Sequence, residues 1–119
     1  MATTTTPLTT QFIDIVATST DIDNAVYADI AGKPCTVYGI SFVSAADEYV
    51  HLKLYNARSA TEAVVPHAIF YFQNGLTRNV MTTDGMVFTT GLSVRCVEEA
   101  GTGGTTSPSS SCTVRFWLG

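Results

Sequence analysis

The sequence predicts an all-β fold, an antiparallel β-sandwich or jelly roll of about seven or eight strands. Apolar residues recur mostly at every second position or in short runs, and no helical period is visible. Turn signals divide the chain at short intervals. With 119 residues, 45% of them hydrophobic, the chain is long enough for one domain. We therefore predict a flexible, Thr-rich N-terminal arm over residues 1–10 and a single sandwich domain over residues 11–119.

Two strands are predicted in the first part of the chain. Residues Gln11–Ala17 form the first one, and Thr36–Ser44 form the second. Strict alternation in the second strand places Tyr38 on the same face as Ile40. Residues 21–32 between the two strands fit either a further strand or a single helical turn.

The middle of the chain combines an alternating strand with turn signals. In the strand Tyr49–Tyr55, Val50, Leu52 and Leu54 are predicted to point inward, and Tyr49, His51, Lys53 and Tyr55 outward. Pro66 indicates a strand start or a sheet edge, because proline cannot donate to a strand ladder. The dipeptide Asn74-Gly75 predicts a two-residue hairpin between the segments Ala63–Phe72 and Leu76–Met81, since both residues tolerate positive φ.

The last part of the chain contains three further strands and a long polar segment. The turn signals Asp84-Gly85 and Gly91 delimit a short strand over Met86–Phe88 and a strand over Leu92–Glu98. Residues 100–111 consist of Gly, Thr, Ser, Ala and Pro, so we expect a flexible, exposed loop. In the final strand the inward side chains are Cys112, Val114, Phe116 and Leu118.

Composition excludes several classes of function. Charged residues make up 13% of the chain and the net charge is −4 without a basic cluster, so nucleic-acid binding is not expected. Neither an export signal nor a membrane span is recognisable, and we expect synthesis in a host cytoplasm and no membrane partner. The cysteines Cys35, Cys96 and Cys112 are odd in number and lack metal-site spacing, which favours buried thiols.

No motif in the chain carries a competent catalytic, metal or cofactor site, so we predict a non-enzymatic protein without cofactors. The segment around Ser93 lacks the second glycine of an esterase elbow. The segment that begins at Asp21 lacks the glycine and the bidentate acid of a calcium loop. Glu98 and Glu99 are neighbours in sequence and should point to opposite faces of a strand, so they do not form a paired-carboxylate catalytic site.

Outward-facing aromatic and polar side chains form the candidate interface, namely Tyr49, His51, Tyr55 and Trp117. Large amphipathic rings bury much area at low entropic cost, which suits a subunit interface. The same rings could stack on sugars, or could belong to a second buried face of the sandwich. The Thr-rich arm could order against a neighbouring subunit by adding a strand to a sheet edge.

Three segments carry a resemblance to a family. They are Leu52-Lys-Leu-Tyr-Asn-Ala, then Asp84-Gly-Met-Val-Phe-Thr-Thr-Gly-Leu-Ser-Val, and then the Thr-Ser-Pro loop with the final strand. This pattern, over residues 36–118, resembles small β-sandwich accessory proteins of tailed-phage virions, and the resemblance implies a capsid cement or decoration role. On this interpretation the chain forms a homotrimer on the capsid exterior and clamps neighbouring copies of the phage major capsid protein. A tail, neck or fibre component and a carbohydrate- or receptor-binding module are the alternatives.

Overall fold

The protein is all-β within the residues that its structure, a computed structural model, describes. These are residues 11–17, 28–44, 48–60, 64–73, 77–104, 106, 108–109 and 112–119. They contain the strands β1 (Gln11–Ala17), β2 (Cys35–Ser44), β3 (Val50–Asn56), β4 (Ala68–Phe72), β5 (Thr77–Phe88), β6 (Leu92–Val97) and β7 (Cys112–Leu118). The predicted N-terminal arm lies outside the described residues.

Two antiparallel sheets face each other, as the sequence predicted. The strand orders are β1-β7-β2-β5 in the four-stranded sheet and β4-β3-β6 in the three-stranded sheet. In an eight-stranded jelly roll the first strand pairs with the last, the last with the third and the third with the sixth. The four-stranded sheet has this order if β2 to β7 correspond to the third to eighth strands of the jelly roll.

The three-stranded sheet fits the same assignment. Its order matches the seventh, fourth and fifth strands of a jelly roll. Beside β6, where a second strand would lie, the amide of Ile30 donates to the carbonyl oxygen of Leu92 over 2.9 Å. The described residues thus have the topology of a jelly roll.

The core lies between the sheets and consists of the inward residues of the strands. Its members include Val37, Ile40, Phe42, Leu52, Leu54, Phe72, Phe88, Val94, Val114 and Phe116, all at most 1% exposed. The rings of Phe42 and Phe72 stack with centroids 4.2 Å apart and join the two sheets. The alternation predicted for β3 and β7 is confirmed on this inward side.

The predicted facing of Tyr38 is wrong, because a β-bulge interrupts β2. The register of β2 against both β5 and β7 shifts between Val37 and Gly39. A bulge inserts an extra residue, so the period of two changes phase at that point. Val37 and Ile40 are therefore both buried in the core, whereas Tyr38 points outward.

Two turn signals also have a different role from the predicted one. The residues that flank Asn74-Gly75 do not form a hairpin, since β4 and β5 belong to different sheets, and residues 74–76 are outside the described set. Asp84-Gly85 lies inside β5 rather than between strands, where Gly85 has a φ of 81°. Met81 pairs with Gly39 of β2, and Met86 pairs with Val37. Five residue steps in β5 thus correspond to two in β2, so the segment between Met81 and Met86 bulges out of the sheet edge.

Candidate interaction surfaces

The outer face of the three-stranded sheet carries two buried cations. Lys53 of β3 and Arg95 of β6 pair directly across the strands, and their side chains are 0% and 1% exposed. Like charges in opposite positions of a sheet repel each other, and burial adds the loss of hydration. Such a pair needs acceptors that compensate for the lost water.

Backbone carbonyl groups of one loop supply these acceptors. We name residues 98–104, 106 and 108–109 the capping loop. The Nζ atom of Lys53 donates to the carbonyl oxygen of Gly101, and an Arg95 nitrogen donates to that of Gly104 over 3.4 Å. Two nitrogens of Arg95, Nε and Nη1, have no hydrogen-bond partner among the described residues. The loop therefore covers this face with backbone rather than with apolar side chains.

Carboxylates hold the capping loop in place at both ends. The Glu99 carboxylate accepts hydrogen bonds from the amide and the hydroxyl group of Thr106. Glu48, before β3, accepts bonds from the amide and hydroxyl of Ser109 over 2.7 and 2.6 Å. The Thr106 hydroxyl lowers the pKa of Glu99, and the bonds from Ser109 lower the pKa of Glu48 despite its desolvation. Residues 100–111 were predicted to be a flexible, exposed loop, and this expectation is wrong for Gly104 and Pro108, which are buried.

Burial changes the acid–base behaviour of Lys53. Desolvation, reinforced by the Arg95 charge, holds the pKa of Lys53 below its ordinary value of 10.5, and Glu99 opposes the effect. The unfolded chain therefore binds more protons than the folded protein at pH values between the lowered pKa and 10.5. It follows that the Lys53 contribution to stability rises with pH across this window.

A Lys53→Met variant should lose this pH dependence. We expect its free energy of unfolding, relative to the natural protein, to improve as the pH falls from 10.5 towards neutrality. The expected change is about 1.4 kcal/mol for each pKa unit by which folding lowers the Lys53 pKa. Denaturant titrations at several pH values would measure it. Lys33→Met, at an exposed position, is the matched control, and a Lys53→Met difference that stays constant with pH would contradict the account.

The outer face of the four-stranded sheet is apolar and open. The side chains of Met81 in β5 and Trp117 in β7 meet above Gly39 of β2, where a Cβ atom would lie 2.7 Å from the Met81 sulfur and 3.1 Å from the Trp117 ring. Glycine at this position therefore lets the two side chains lie flat against the sheet. Tyr38 lies beside them, and its ring covers Gly85.

We name this surface the open face and define it by its apolar side chains, Tyr38, Val43, Met81, Val87 and Trp117. Met81 is 67% exposed and Val87 is 56% exposed, while Trp117 is half-buried. No capping segment crosses this face among the residues that the structure describes. Polar positions between the apolar side chains are mostly Thr, Ser and Asn, for example Thr36, Ser41 and Asn79. Arg115 of β7, the register partner of Ser41, is an exposed charged residue on the same face. Such a surface can bury apolar area against another protein if the Arg115 guanidinium keeps its hydration or finds an acceptor there.

A smaller aromatic cluster lies at the β4 edge of the other sheet. Tyr49 and Tyr71 are both exposed, with ring centroids 6.0 Å apart, and the Arg78 guanidinium lies 5.9 Å from the Tyr71 ring centroid. Gln73 donates to the Tyr49 hydroxyl over 3.0 Å. Beside the cluster, a groove of about 210 Å³ lies between β4 and β5, lined by Ile69, Phe70, Tyr71, Phe72, Arg78 and Val80.

The structure does not bring the four predicted interface residues together. Tyr49 and His51 both neighbour Tyr71, and the Nδ1 atom of His51 donates to the carbonyl oxygen of Glu98 over 2.7 Å. The side chain of Tyr55 is 0% exposed, so it is buried and does not form part of the protein surface. Trp117 lies on the other sheet, in the open face. A role of these residues in an interface stays a prediction.

Sequence reasoning missed most of the open face. Tyr38 was assigned to the face of Ile40 because the bulge is invisible in the alternation, and Met81 and Val87 were placed in strands without a face. A signal was nevertheless present, since apolar residues at both parities of β5 indicate a strand with two apolar faces.

Other site types find little support in the described part of the chain. There, no three His, Cys, Asp or Glu side chains cluster as metal ligands would. The same residues contain no helix with the length and hydropathy of a membrane span. All three cysteines are buried thiols, as the sequence predicted.

Comparison with known proteins identifies a structural likeness and no family. No family model matches the chain, and no curated protein matches it. Among solved structures, the coat protein of Tobacco streak virus matches with a TM-score of 0.39 and 13% sequence identity, over 93% of this chain and 88% of that chain.

Proposed function

We propose that this chain is a structural protein of a virus particle that assembles with copies of itself and binds across neighbouring major capsid subunits as a cement or decoration protein. The observation that carries the proposal is the open face. Met81 and Val87 expose most of their apolar area there, while the corresponding face of the other sheet is covered by the capping loop. A face of this kind suits burial against a second subunit.

The amino-acid composition also supports assembly. With 13% charged residues, the chain resembles the charge-depleted centre of protein interfaces more than an average exposed surface. Closed symmetry repeats one modest contact several times, and simultaneous attachment at several points multiplies affinity without new contacts. A trimer on the capsid exterior would use both effects.

The aromatic cluster at the β4 edge favours a second candidate function, carbohydrate binding. Tyr49 and Tyr71 present exposed rings next to the Gln73 amide, which is the combination of stacking surface and hydrogen-bonding groups that a sugar needs. This candidate predicts sugar-dependent binding that Tyr71→Ala abolishes and Met81→Ala leaves unchanged. Binding to capsids with the opposite sensitivity would favour the cement role.

Attachment of the purified protein to heads that lack it tests the cement role. We expect the protein to co-sediment with heads assembled from the major capsid protein of the same genome, and to raise the temperature at which these heads rupture. Heads of an unrelated phage are the control. A protein that binds tails and leaves heads unchanged would assign it to the tail, neck or fibre instead.

Deletion of residues 1–10 should weaken attachment and preserve the fold. This segment contains Leu8 as its one large aliphatic residue after Met1, so it has little to add to a core. Threonine has a high β-propensity, which suits a strand that pairs with the sheet edge of a neighbour. Co-sedimentation with heads measures attachment, and an unchanged melting temperature shows that the domain is intact. Equal binding by the truncated and full chains would refute the role of the arm.

A further inference from the structure

Two of the three cysteines face each other across the sandwich. Cys96 lies in β6 of the three-stranded sheet, and Cys112 is the first residue of β7 in the four-stranded sheet. Both side chains belong to the buried core between the sheets. The capping loop connects them, so they lie at the same end of the sandwich.

Their thiol groups are neighbours within the buried core. The Cys96 and Cys112 thiols are hydrogen-bonded to each other, and the Sγ atom of Cys112 lies 3.5 Å from the hydroxyl oxygen of Ser44. Ser44 and Cys112 are register partners in the ladder between β2 and β7, so the backbone fixes this arrangement. Two inward thiols from opposite sheets are thus held side by side, and no disulfide bond joins them.

We propose that Cys96 and Cys112 form a disulfide bond between the two sheets when the protein meets a disulfide oxidant such as oxidised glutathione. In a reducing environment the pair stays as two thiols, and the sheets are joined by packing alone. After oxidation, one covalent bond joins β6 to β7 and closes the segment that carries the capping loop.

The chemistry is a thiol–disulfide exchange in two steps. The Cys112 thiol loses its proton, and the thiolate attacks one sulfur of oxidised glutathione and releases one glutathione thiolate. The hydrogen bond from Cys96 lowers the pKa of Cys112, and the Ser44 bond adds to this against the effect of burial. The Cys96 thiolate then attacks the Cys112 sulfur, forms the protein disulfide and releases the second glutathione. Two protein thiols are oxidised, and one glutathione disulfide is reduced.

Access to the buried pair requires local opening of the chain. The capping loop is held mainly by hydrogen bonds, to Glu48 and Lys53 and between its own Glu99 and Thr106, and Pro108 is its one buried side chain with apolar atoms among the described residues. Loops that are held in this way open at lower free energy than core strands. We therefore expect the oxidation rate to follow the opening of this loop.

Cys35 provides an internal control. It pairs with Phe88 at one terminus of β2, whereas Cys112 pairs with Ser44 at the other terminus. Ser44 lies nine residue steps along the extended strand from Cys35, which corresponds to about 30 Å. A bridge between Cys35 and either of the other cysteines therefore requires unfolding.

Intact-mass measurement on the full chain tests the proposal. After incubation of the folded protein with oxidised glutathione, we expect a product lighter by two hydrogen atoms, with one free thiol left. Digestion after Glu98 should give two peptides, with Cys96 in one and Cys112 in the other, that separate only in reductant. The bridge closes a segment of 15 residues, and it should raise the thermal midpoint by about 10 °C.

Variants assign the bond and supply the contradicting outcomes. Cys35→Ala should still form the bridge, whereas Cys96→Ala should not. A glutathione adduct without a bridge, a bond that includes Cys35, or linked dimers would overturn the proposal. So would three free thiols after oxidation at a temperature that opens the loop. The measurements on the natural chain and on Cys35→Ala decide the matter even if Cys96→Ala fails to fold.

Discussion

A Met81→Asp variant is expected to lose self-association. Met81 lies at the centre of the open face, in contact with the Gly39–Trp117 surface and 67% exposed in the single chain. In an assembly, the aspartate would be buried against apolar side chains without a partner for its charge. The expected loss is at least about 2 kcal/mol per interface, which is roughly 30-fold in the dissociation constant.

Light scattering on a sizing column, over a range of concentrations, measures this loss. Val65→Asp is the matched control, since it introduces the same charge at an exposed apolar position in the connection to β4, away from the open face. Val65→Asp should melt close to the natural protein, because exposed substitutions change stability by about 0.5 kcal/mol or less. Met81→Asp should in addition lose the stabilisation that assembly gives to the folded chain by mass action. A Met81→Asp protein with the mass of the natural assembly would show that the open face is not the contact.

Leu54→Ala is expected to lower the free energy of unfolding by about 2–5 kcal/mol. Leu54 is fully buried at the centre of the core, and its register partners Ala68 and Val94 also face inward. Removal of its side chain loses the transfer free energy of the buried atoms and leaves a cavity that the two sheets cannot close.

Thermal and denaturant unfolding measure this change in the oxidised or the reduced protein, provided that the redox state is constant. The expected decrease of the thermal midpoint is about 10 °C. Val65→Ala removes aliphatic atoms at an exposed position and serves as the control. A Leu54→Ala midpoint within the range of this control would mean that the facing of β3 is misassigned.

Local alternation was sufficient to predict the strands that contain no irregularity. The limits of β1 and β7 are confirmed at Gln11–Ala17 and Cys112–Leu118, and the inward side of β7 is confirmed as well. In such strands each side chain follows from the parity of its position, so one sequence pattern determines the buried face.

The bulge in β2 shows where the same reasoning fails. Tyr38 follows Val37 in a pattern that alternates without interruption, but the pairing partners shift between Val37 and Gly39. The shift is visible only in the pairing with β5 and β7, whose Met81 and Trp117 side chains close over Gly39. A property that depends on neighbouring strands cannot be deduced from one strand alone.

The covered face could not be predicted for a related reason. Lys53 was correctly assigned to the outer side of β3, but outward did not mean exposed, because the carbonyl groups of the capping loop enclose it. Gly and Ser residues in the loop suggest flexibility by composition. The buried cations and the two glutamates supply the order that composition hides.

The sheet topology places the predicted interface residues on two different surfaces. Tyr49 and Trp117 share an outward assignment in sequence, but β3 and β7 belong to different sheets, so their outer faces lie on opposite sides of the sandwich. Sheet membership depends on contacts that are distant in sequence. Strand patterns determine which side chains leave the core, and the pairing of strands determines which of them meet.

The solution mass of the full chain at several concentrations tests the central claim, self-association through the open face, most directly. The account predicts a species of three chains, with three times the 12.7 kDa mass of one chain. This species should dissociate in the Met81→Asp variant and persist in the Val65→Asp variant. A strict monomer of 12.7 kDa at every concentration would contradict the claim.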